Sequence, residues 1–342
     1  LENTLKNYVG TDYCITLNSG TSALHSTLLA YEIGTNDEVI VPSFSFISTV
    51  NSVLFVNGTP KFSDIEEITY GLDPKLLSQQ ITPKTKVIMP MDYGGMSCQI
   101  NEIKKIAEQN NLILIEDAAE SLGSSVKGKK TGSIADSSIF SFCGNKVLTT
   151  GEGGAVVTNS KEVYEKIKLI RSHGRLDKKS YFENPSMANY LQLGYNWRMS
   201  SMTAALGISQ LHKLDKIIKM RQNNAVYISE RLKKIPEIQV PSPPNDYDHI
   251  YQMYSIRLAN NQIREKLHEF LLEKSIFSKV YFYPIHKTSF YQNQISTIDS
   301  NLPVTESVSN EILTLPMYPN MTNEEKNYLV QSIYEFFETK QI

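Results

Sequence analysis

Apolar positions along this chain recur with two periods. Short apolar runs of strand length are followed by Gly-containing turns, and then by stretches with a helical stripe. Tyr13 to Leu17 is such a run, and NSGTSALHSTLLAYEI after it reads as a Gly turn opening a helix. Val39 to Val41 is a buried strand ending at Pro42, with a helix from Ser48 to Val56. TPKFSDI is a strand that ends at Asp64, and Asp73 to Gln80 is a short helix with Asp73 and Pro74 as cap and first turn. KVIMPMDYGGMSC is a strand and a Gly loop, and INEIKKIAEQNN places Ile100, Ile103, Ile106 and Ala107 on one helical face. LILIED is an apolar strand ending in Glu116 and Asp117. Ser138 to Phe142 and Ala155 to Thr158 are strands around a Gly-rich turn, and KEVYEKIKLIRSHG is a helix. Residues 13–160 therefore alternate strand and helix, the pattern of a mainly parallel sheet covered by helices.

The rest of the chain is patterned differently. Arg175 to Leu193 is polar and irregular and predicts a mobile or interface loop. A long helical stretch follows, with Ser200 or Ser201 as N-cap and a break near Lys213 to Lys216. PEIQVPSPPNDYDH is Pro-rich and marks a boundary. MYSIRLA then reads as a strand, QIREKLHEFLLEKS as a helix, KVYFYPIH as a strand ending at His286, and Asn320 to Thr339 as the last helix. This predicts a large α/β domain over residues 1–215 and a smaller α+β domain over 216–342. The pattern is already running at Leu1, so a further N-terminal segment is expected upstream of it.

Composition narrows the classes. The chain has 342 residues, enough for a large core, and a net charge of −2 that gives no reason to expect a nucleic-acid or membrane surface as partner. No apolar run reaches membrane-spanning length, and the start has no signal-peptide pattern. Cys14, Cys98 and Cys143 are odd in number and scattered, which fits free thiols in a reducing cytoplasm. Cys143 is given no catalytic role.

Candidate chemistry lies at the strand ends. Lys146 falls between a strand and a Gly-rich turn, where it serves a site or simply points to water. Gly20, Thr21 and Ser22 put backbone N–H groups and hydroxyls at a helix start, an anion site or an ordinary cap. Phe44 and Phe46 follow a strand, where an aromatic stacks on a flat ligand or joins the core. Glu116 and Asp117 end an apolar strand. A carboxylate buried there needs a cation, a metal or a ligand donor, unless Asp117 merely caps the following turn. A Gly-Thr-Ser helix start, an aromatic after a strand, an acid at a strand end and a lysine in a turn together make the set that pyridoxal phosphate chemistry requires.

The motifs NSGTSALH, VPSFSFISTVN, IEDAAESLG, FSFCGNKVLTTGEGGAVV and GYNWRMS, with PIH at 284–286 and LPMYP at 315–319, resemble the DegT/DnrJ/EryC1/StrS family of sugar aminotransferases. The resemblance covers nearly the whole chain and implies the fold type I architecture of pyridoxal 5'-phosphate enzymes, with a mainly parallel seven-stranded-type sheet. It implies that Lys146 is the Schiff-base lysine and that Asp117 pairs with the pyridine nitrogen. Phe46 would stack on the ring, and Thr21, Ser22 and Ser141 would hold the phosphate. Asn196 and Arg198 would reach the cofactor of a neighbouring subunit in a homodimer, although Arg198 read alone is equally a salt-bridge partner. Glu120 would lie near the cofactor ring, or face solvent on its helix. Ser48, Tyr93 and His286 would face the substrate, with Thr49 as a further pocket residue, although His286 also reads as a satisfied structural histidine.

The implied activity is amino transfer from an amino acid, L-glutamate, to a nucleotide-linked 4-keto-6-deoxy sugar, as in perosamine synthase-like 4-aminotransferases. The products would feed lipopolysaccharide or other surface-sugar synthesis. The alternatives are a 3-aminotransferase, a pyridoxal phosphate sugar dehydratase and a non-catalytic cofactor-binding regulator. A dehydrating sister group has histidine in place of the lysine, so Lys146 weighs against dehydration.

Overall fold

The computed structural model describes residues 1–175, 189–294 and 301–339. The chain opens with α1 (Glu2–Val9), β1 (Tyr13–Leu17), α2 (Gly20–Ala30), β2 (Glu38–Pro42), α3 (Ile47–Phe55) and β3 (Thr59–Ser63). It continues with α4 (Pro74–Gln80), β4 (Thr85–Ile88), α5 (Ile100–Gln109), β5 (Ile113–Asp117), β6 (Ser125–Val126), β7 (Lys129–Lys130), β8 (Ser137–Ser141) and β9 (Gly154–Thr158). After α6 (Lys161–Ile170) come α7 (Ser201–Leu211), α8 (Leu214–Leu232), β10 (Ile238–Gln239), β11 (Tyr247–Asp248), β12 (Tyr254–Leu258) and α9 (Asn261–Glu273). The last elements are α10 (Ser289–Gln294), α11 (Pro303–Glu311), β13 (Ile312–Leu315) and α12 (Asn323–Thr339).

The apolar runs assemble into a seven-stranded sheet of order β1-β9-β8-β5-β4-β2-β3. Strands β8, β5, β4, β2 and β3 pair in parallel, and only β9 runs antiparallel to both neighbours. Most of their residues are buried, on both faces in the central strands, which is why the runs read as largely apolar. Polar caps set the helix starts: Ser19 accepts from Ser22 N–H, Asp73 from Lys75 N–H, Ser160 from Val163 N–H and Ser200 from Thr203 N–H. The expected break in the long helix falls at His212–Lys213, slightly earlier than predicted.

A second apolar core lies between α8, α9, α12 and a small antiparallel sheet of order β10-β12-β13. Phe44, Met91 and Tyr93, from the loops after β2 and β4, pack with Met253, Phe282, Val308 and Ile312, so a largely aromatic cluster lies between the two sheets. Of the loop expected over Arg175 to Leu193, residues 176–188 lie outside the described residues.

KVYFYPIH is not the strand that its alternation predicts. Lys279 makes one isolated bridge to Thr314, and Ile285–Lys287 is a single turn of 3-10 helix. The backbone groups here are taken individually. Tyr93 donates its hydroxyl to the Tyr281 carbonyl, Ser309 to the Phe282 carbonyl, and Ile285 N–H donates to the Ser43 carbonyl. Pro284 has no N–H to offer a ladder. The burial is therefore strand-like while the pairing is not.

Candidate active site

The loops that leave the carboxyl ends of the parallel strands carry the candidate residues, as open α/β sheets generally place them. Lys146 lies in the turn after β8. Its Nζ is 2.9 Å from Glu120 Oε1, and both side chains are largely buried. Glu120 sits in the turn after β5, and its second carboxylate oxygen accepts the Gly94 N–H at 3.0 Å. Glu120 thus faces Lys146 and not solvent.

Asp117 ends β5 and is 3% exposed. Thr49 donates its hydroxyl to Oδ2 at 2.6 Å, and Ala119 N–H donates to Oδ1 at 3.2 Å. Since Thr49 gives its proton to Asp117, the Ser45 hydroxyl 2.6 Å away donates to Thr49. Burial pushes the Asp117 carboxyl up from its ordinary value, while Thr49, Ala119 and the charge of Lys146 pull it back. Glu116, one residue earlier, points to the other face of the sheet. It accepts from Gly132 N–H at 2.9 Å and from the Ser138 hydroxyl at 2.8 Å. Burial first, and then the neighbouring Asp92, raise its carboxyl well above the usual range. Of the two acids that end the strand, only Asp117 faces the lysine.

The first turn of α2 lies against β8 and β9. A Cβ on Gly20 would sit 3.0 Å from Ser141 Cβ, and a Cβ on Gly154 only 2.4 Å from the Ser19 carbonyl oxygen. Glycine at both positions permits this approach and leaves the helix N-terminus open beside Ser141. Ser22 is committed to the cap: its hydroxyl donates to Asn18 Oδ1 at 2.6 Å and its N–H to Ser19 Oγ at 3.0 Å. Thr21 Oγ1 is 2.8 Å from Ser48 Oγ, which ties the start of α2 to the start of α3.

The two phenylalanines after β2 separate. Phe44 is fully buried against Tyr70, Tyr93 and Phe282, whereas Phe46 is 57% exposed at the start of α3. Thr49 lies fully buried beneath Asp117, so it is a partner of the acid and not a pocket residue. Tyr93 is also buried, and its hydroxyl is engaged by Ser255 at 2.8 Å and the Tyr281 carbonyl at 2.7 Å. His286 has both ring nitrogens occupied, Nδ1 by Ser43 at 2.6 Å and Nε2 by Glu306 at 3.3 Å. These contacts are those of a structural histidine. Arg198 bridges Leu17 at the end of β1, where Asn18 N–H donates to the Trp197 carbonyl, and Asn196 bridges Ser172 just after α6. Both side chains are exposed.

The arrangement fits pyridoxal phosphate. Asp117 is a buried carboxylate with neutral donors on both oxygens, so a protonated ring nitrogen supplies the counter-charge that its burial calls for. The α2 N-terminus with Thr21 and Ser141 suits a phosphate, Phe46 offers an open ring face, and Lys146 offers an amine. Sequence reasoning missed Ser45 and Gly94, which act through Thr49 and Glu120. The paired SFS of VPSFSF was the only available sign of the first, because its alternation sends Ser45 inward.

Fold and site define a pyridoxal phosphate-dependent aminotransferase of fold type I. The chain belongs to the DegT/DnrJ/EryC1/StrS aminotransferase family, whose model matches residues 1–334. It is 36% identical over 328 residues to a GDP-perosamine synthase of Escherichia coli O157:H7, covering 96% of this chain and 86% of that protein. The structure is similar to Helicobacter pylori PseC, an aminotransferase of pseudoaminic acid biosynthesis, with TM-score 0.92, 30% identity and coverage of 99% and 90% of the two chains. It is also similar to Spr1654 of Streptococcus pneumoniae, solved in its PMP form. There the TM-score is 0.93 at 26% identity, over 98% of this chain and 90% of that one.

Proposed function

We propose that the chain moves an amino group from L-glutamate to C4 of a nucleotide-linked 4-keto-6-deoxy sugar. The observation that carries the reaction type is the placement of Lys146, with its Nζ held 2.9 Å from Glu120 and within the field of buried Asp117. The sugar and the position aminated rest on the 36% identity to a GDP-perosamine synthase.

Bound at this site, pyridoxal phosphate supplies an aldehyde that an amine can capture and a ring that withdraws electrons from the amine-bearing carbon. The chain's own residues do the rest. Asp117, which takes hydrogen bonds from Thr49 and Ala119, would pair with the ring nitrogen and favour its protonated form. Thr21, Ser141 and the α2 N-terminus would bind phosphate oxygens, while Ser22, expected among them, holds the helix start through Asn18 and Ser19. Phe46 would lie against the cofactor ring. Lys146 would hold the cofactor through its amine and would serve as the acid and base that moves a proton in each half-reaction. Glu120 holds the lysine's amine in place.

We also infer a homodimer, with Asn196 and Arg198 of each copy facing the other's site. Beside them Leu193 is 83% and Met202 84% exposed, an apolar surface that a second copy would cover.

The deciding experiment is the visible absorption spectrum of the cofactor-loaded protein before and after L-glutamate. Conversion of the visible band to the shorter-wavelength aminated form, and its return with a GDP-linked 4-keto-6-deoxy sugar, supports the reading. A band that ignores glutamate and other amino donors overturns it.

A further inference from the structure

Gln252 lies just before β12, and its side chain is buried. Its carboxamide oxygen accepts the Val147 N–H at 2.8 Å, and its NH2 group donates to the Asn145 carbonyl at 2.8 Å. One planar amide thus grips the backbone on both sides of Lys146. The two contacts also fix its orientation, because a flipped amide would set donor against donor and acceptor against acceptor. Within the turn, Lys146 N–H donates to the Cys143 carbonyl at 3.0 Å, and the flanking groups are left for Gln252.

The segment that carries Gln252 is itself pinned. Ile250 N–H donates to the Gly95 carbonyl at 2.9 Å and Met253 N–H to the Gly94 carbonyl at 3.0 Å. Arg221 donates to the Tyr251 carbonyl at 2.9 Å and the Met317 carbonyl at 3.0 Å. Gly95 has φ +102°, and a Cβ there would meet Gln252 N at 2.8 Å, so only glycine allows the segment to lie this close. Gly94 in turn donates its N–H to Glu120. Lys146 and its carboxylate partner are therefore both held from one segment, residues 250–253, at the join of the two sheets.

We propose that Gln252 is a positioning residue for Lys146, fixing the main chain on both sides of the lysine and so the place of Nζ beside Glu120. This rests on the reading of Lys146 as the residue that carries the cofactor. A lysine side chain has a long flexible stem, and it presents its amine in one geometry only if its own backbone is fixed.

The test compares wild type with Gln252→Leu, which loses both contacts, and Gln252→Glu, which keeps the acceptor for Val147 and loses the donor to Asn145. Two measurements are made on cofactor-free protein. One is backbone amide exchange over the peptide containing residues 145–148. The other is the rate at which pyridoxal phosphate is captured on Lys146, read by borohydride trapping and peptide mass across a pH series. In Gln252→Leu, exchange at 145–148 should rise about ten-fold or more with remote peptides unchanged, and capture should slow about ten-fold with an altered pH dependence. Gln252→Glu should fall between, and it carries the test if the leucine variant does not fold. Unchanged local exchange overturns the proposal. So does exchange raised throughout the protein, or a local rise with wild-type capture at every pH, which would leave Gln252 a structural residue only. If wild type captures no pyridoxal phosphate, the reading of Lys146 fails, and the exchange data still report whether Gln252 holds the turn.

Discussion

Thr49 donates its hydroxyl to Asp117 at 2.6 Å inside a layer where neither residue meets solvent. The acid near Lys146 therefore takes its shortest hydrogen bond from a neutral donor in the first turn of α3, backed by Ser45, and this bond opposes the upward push of burial on the carboxyl. A hydrogen bond to a charged group contributes about 1.5–3 kcal/mol, and a buried acceptor left unpaired costs a similar amount. Thr49→Val should weaken pyridoxal phosphate binding about ten- to a hundred-fold. Without the donor, burial drives the Asp117 carboxyl further up, so the loss should deepen as pH falls. Thr49→Ser should restore binding. Cofactor titrations across pH check this, and equal affinity in Thr49→Val and wild type at low pH would refute it.

Glu120 is the charged partner of Lys146 and also the acceptor for Gly94 N–H. Glu120→Gln keeps the shape and the acceptor oxygen but removes the charge. Removing one partner of a buried ion pair leaves the other uncompensated. The glutamate half-reaction should slow about ten-fold or more, and the cofactor should still load. Stopped-flow spectra with saturating glutamate test it, and a wild-type rate would show that the charge is not needed.

Much of this was legible in the sequence because fully buried parallel strands leave continuous apolar runs, and residues at their ends are few. LILIED pointed to Asp117, and FSFCGNKV pointed to Lys146. What stayed hidden acts between segments far apart in the chain. Thr49 and Asp117 are 68 positions apart and Gln252 and Val147 are 105 apart, so no local spacing marks either pair. KVYFYPIH misled for a related reason. Its alternation reports burial, but the partners that replace a ladder are Tyr93, Ser43 and Ser309, from elsewhere in the chain.

The buried acids on the far side of β5 predict a pH effect in the cofactor-free protein. Asp92 accepts from Cys98 N–H at 2.8 Å and the Ser121 hydroxyl at 2.7 Å, and its own N–H donates to the Asp117 carbonyl at 3.0 Å. Burial pushes its carboxyl from 3.8 up to about 6. A raised carboxyl binds its proton more tightly folded than unfolded, so its contribution is full below about pH 4 and is lost as pH rises through about 6. Asp92→Asn cannot lose a proton, so its stability relative to wild type should climb across that window. Denaturant unfolding of both proteins over the pH series measures the difference, and a flat difference rules the effect out.

The inferred dimer gives the last prediction. Arg198 is exposed and lies in the chain between Leu193 and Met202, which are 83% and 84% exposed. If a second copy covers this face, Met202→Asp places a charge in an apolar contact and should shift the protein towards monomer, because an unpaired buried charge is costly. Arg198→Ala should leave the dimer intact and instead weaken cofactor binding about ten-fold, the worth of one charged contact to a phosphate. Sedimentation and cofactor titration separate the two effects. Loss of cofactor affinity in Met202→Asp together with dissociation would place Arg198 in the neighbouring site. A monomeric wild type that binds cofactor tightly would remove both the dimer and the cross-subunit role.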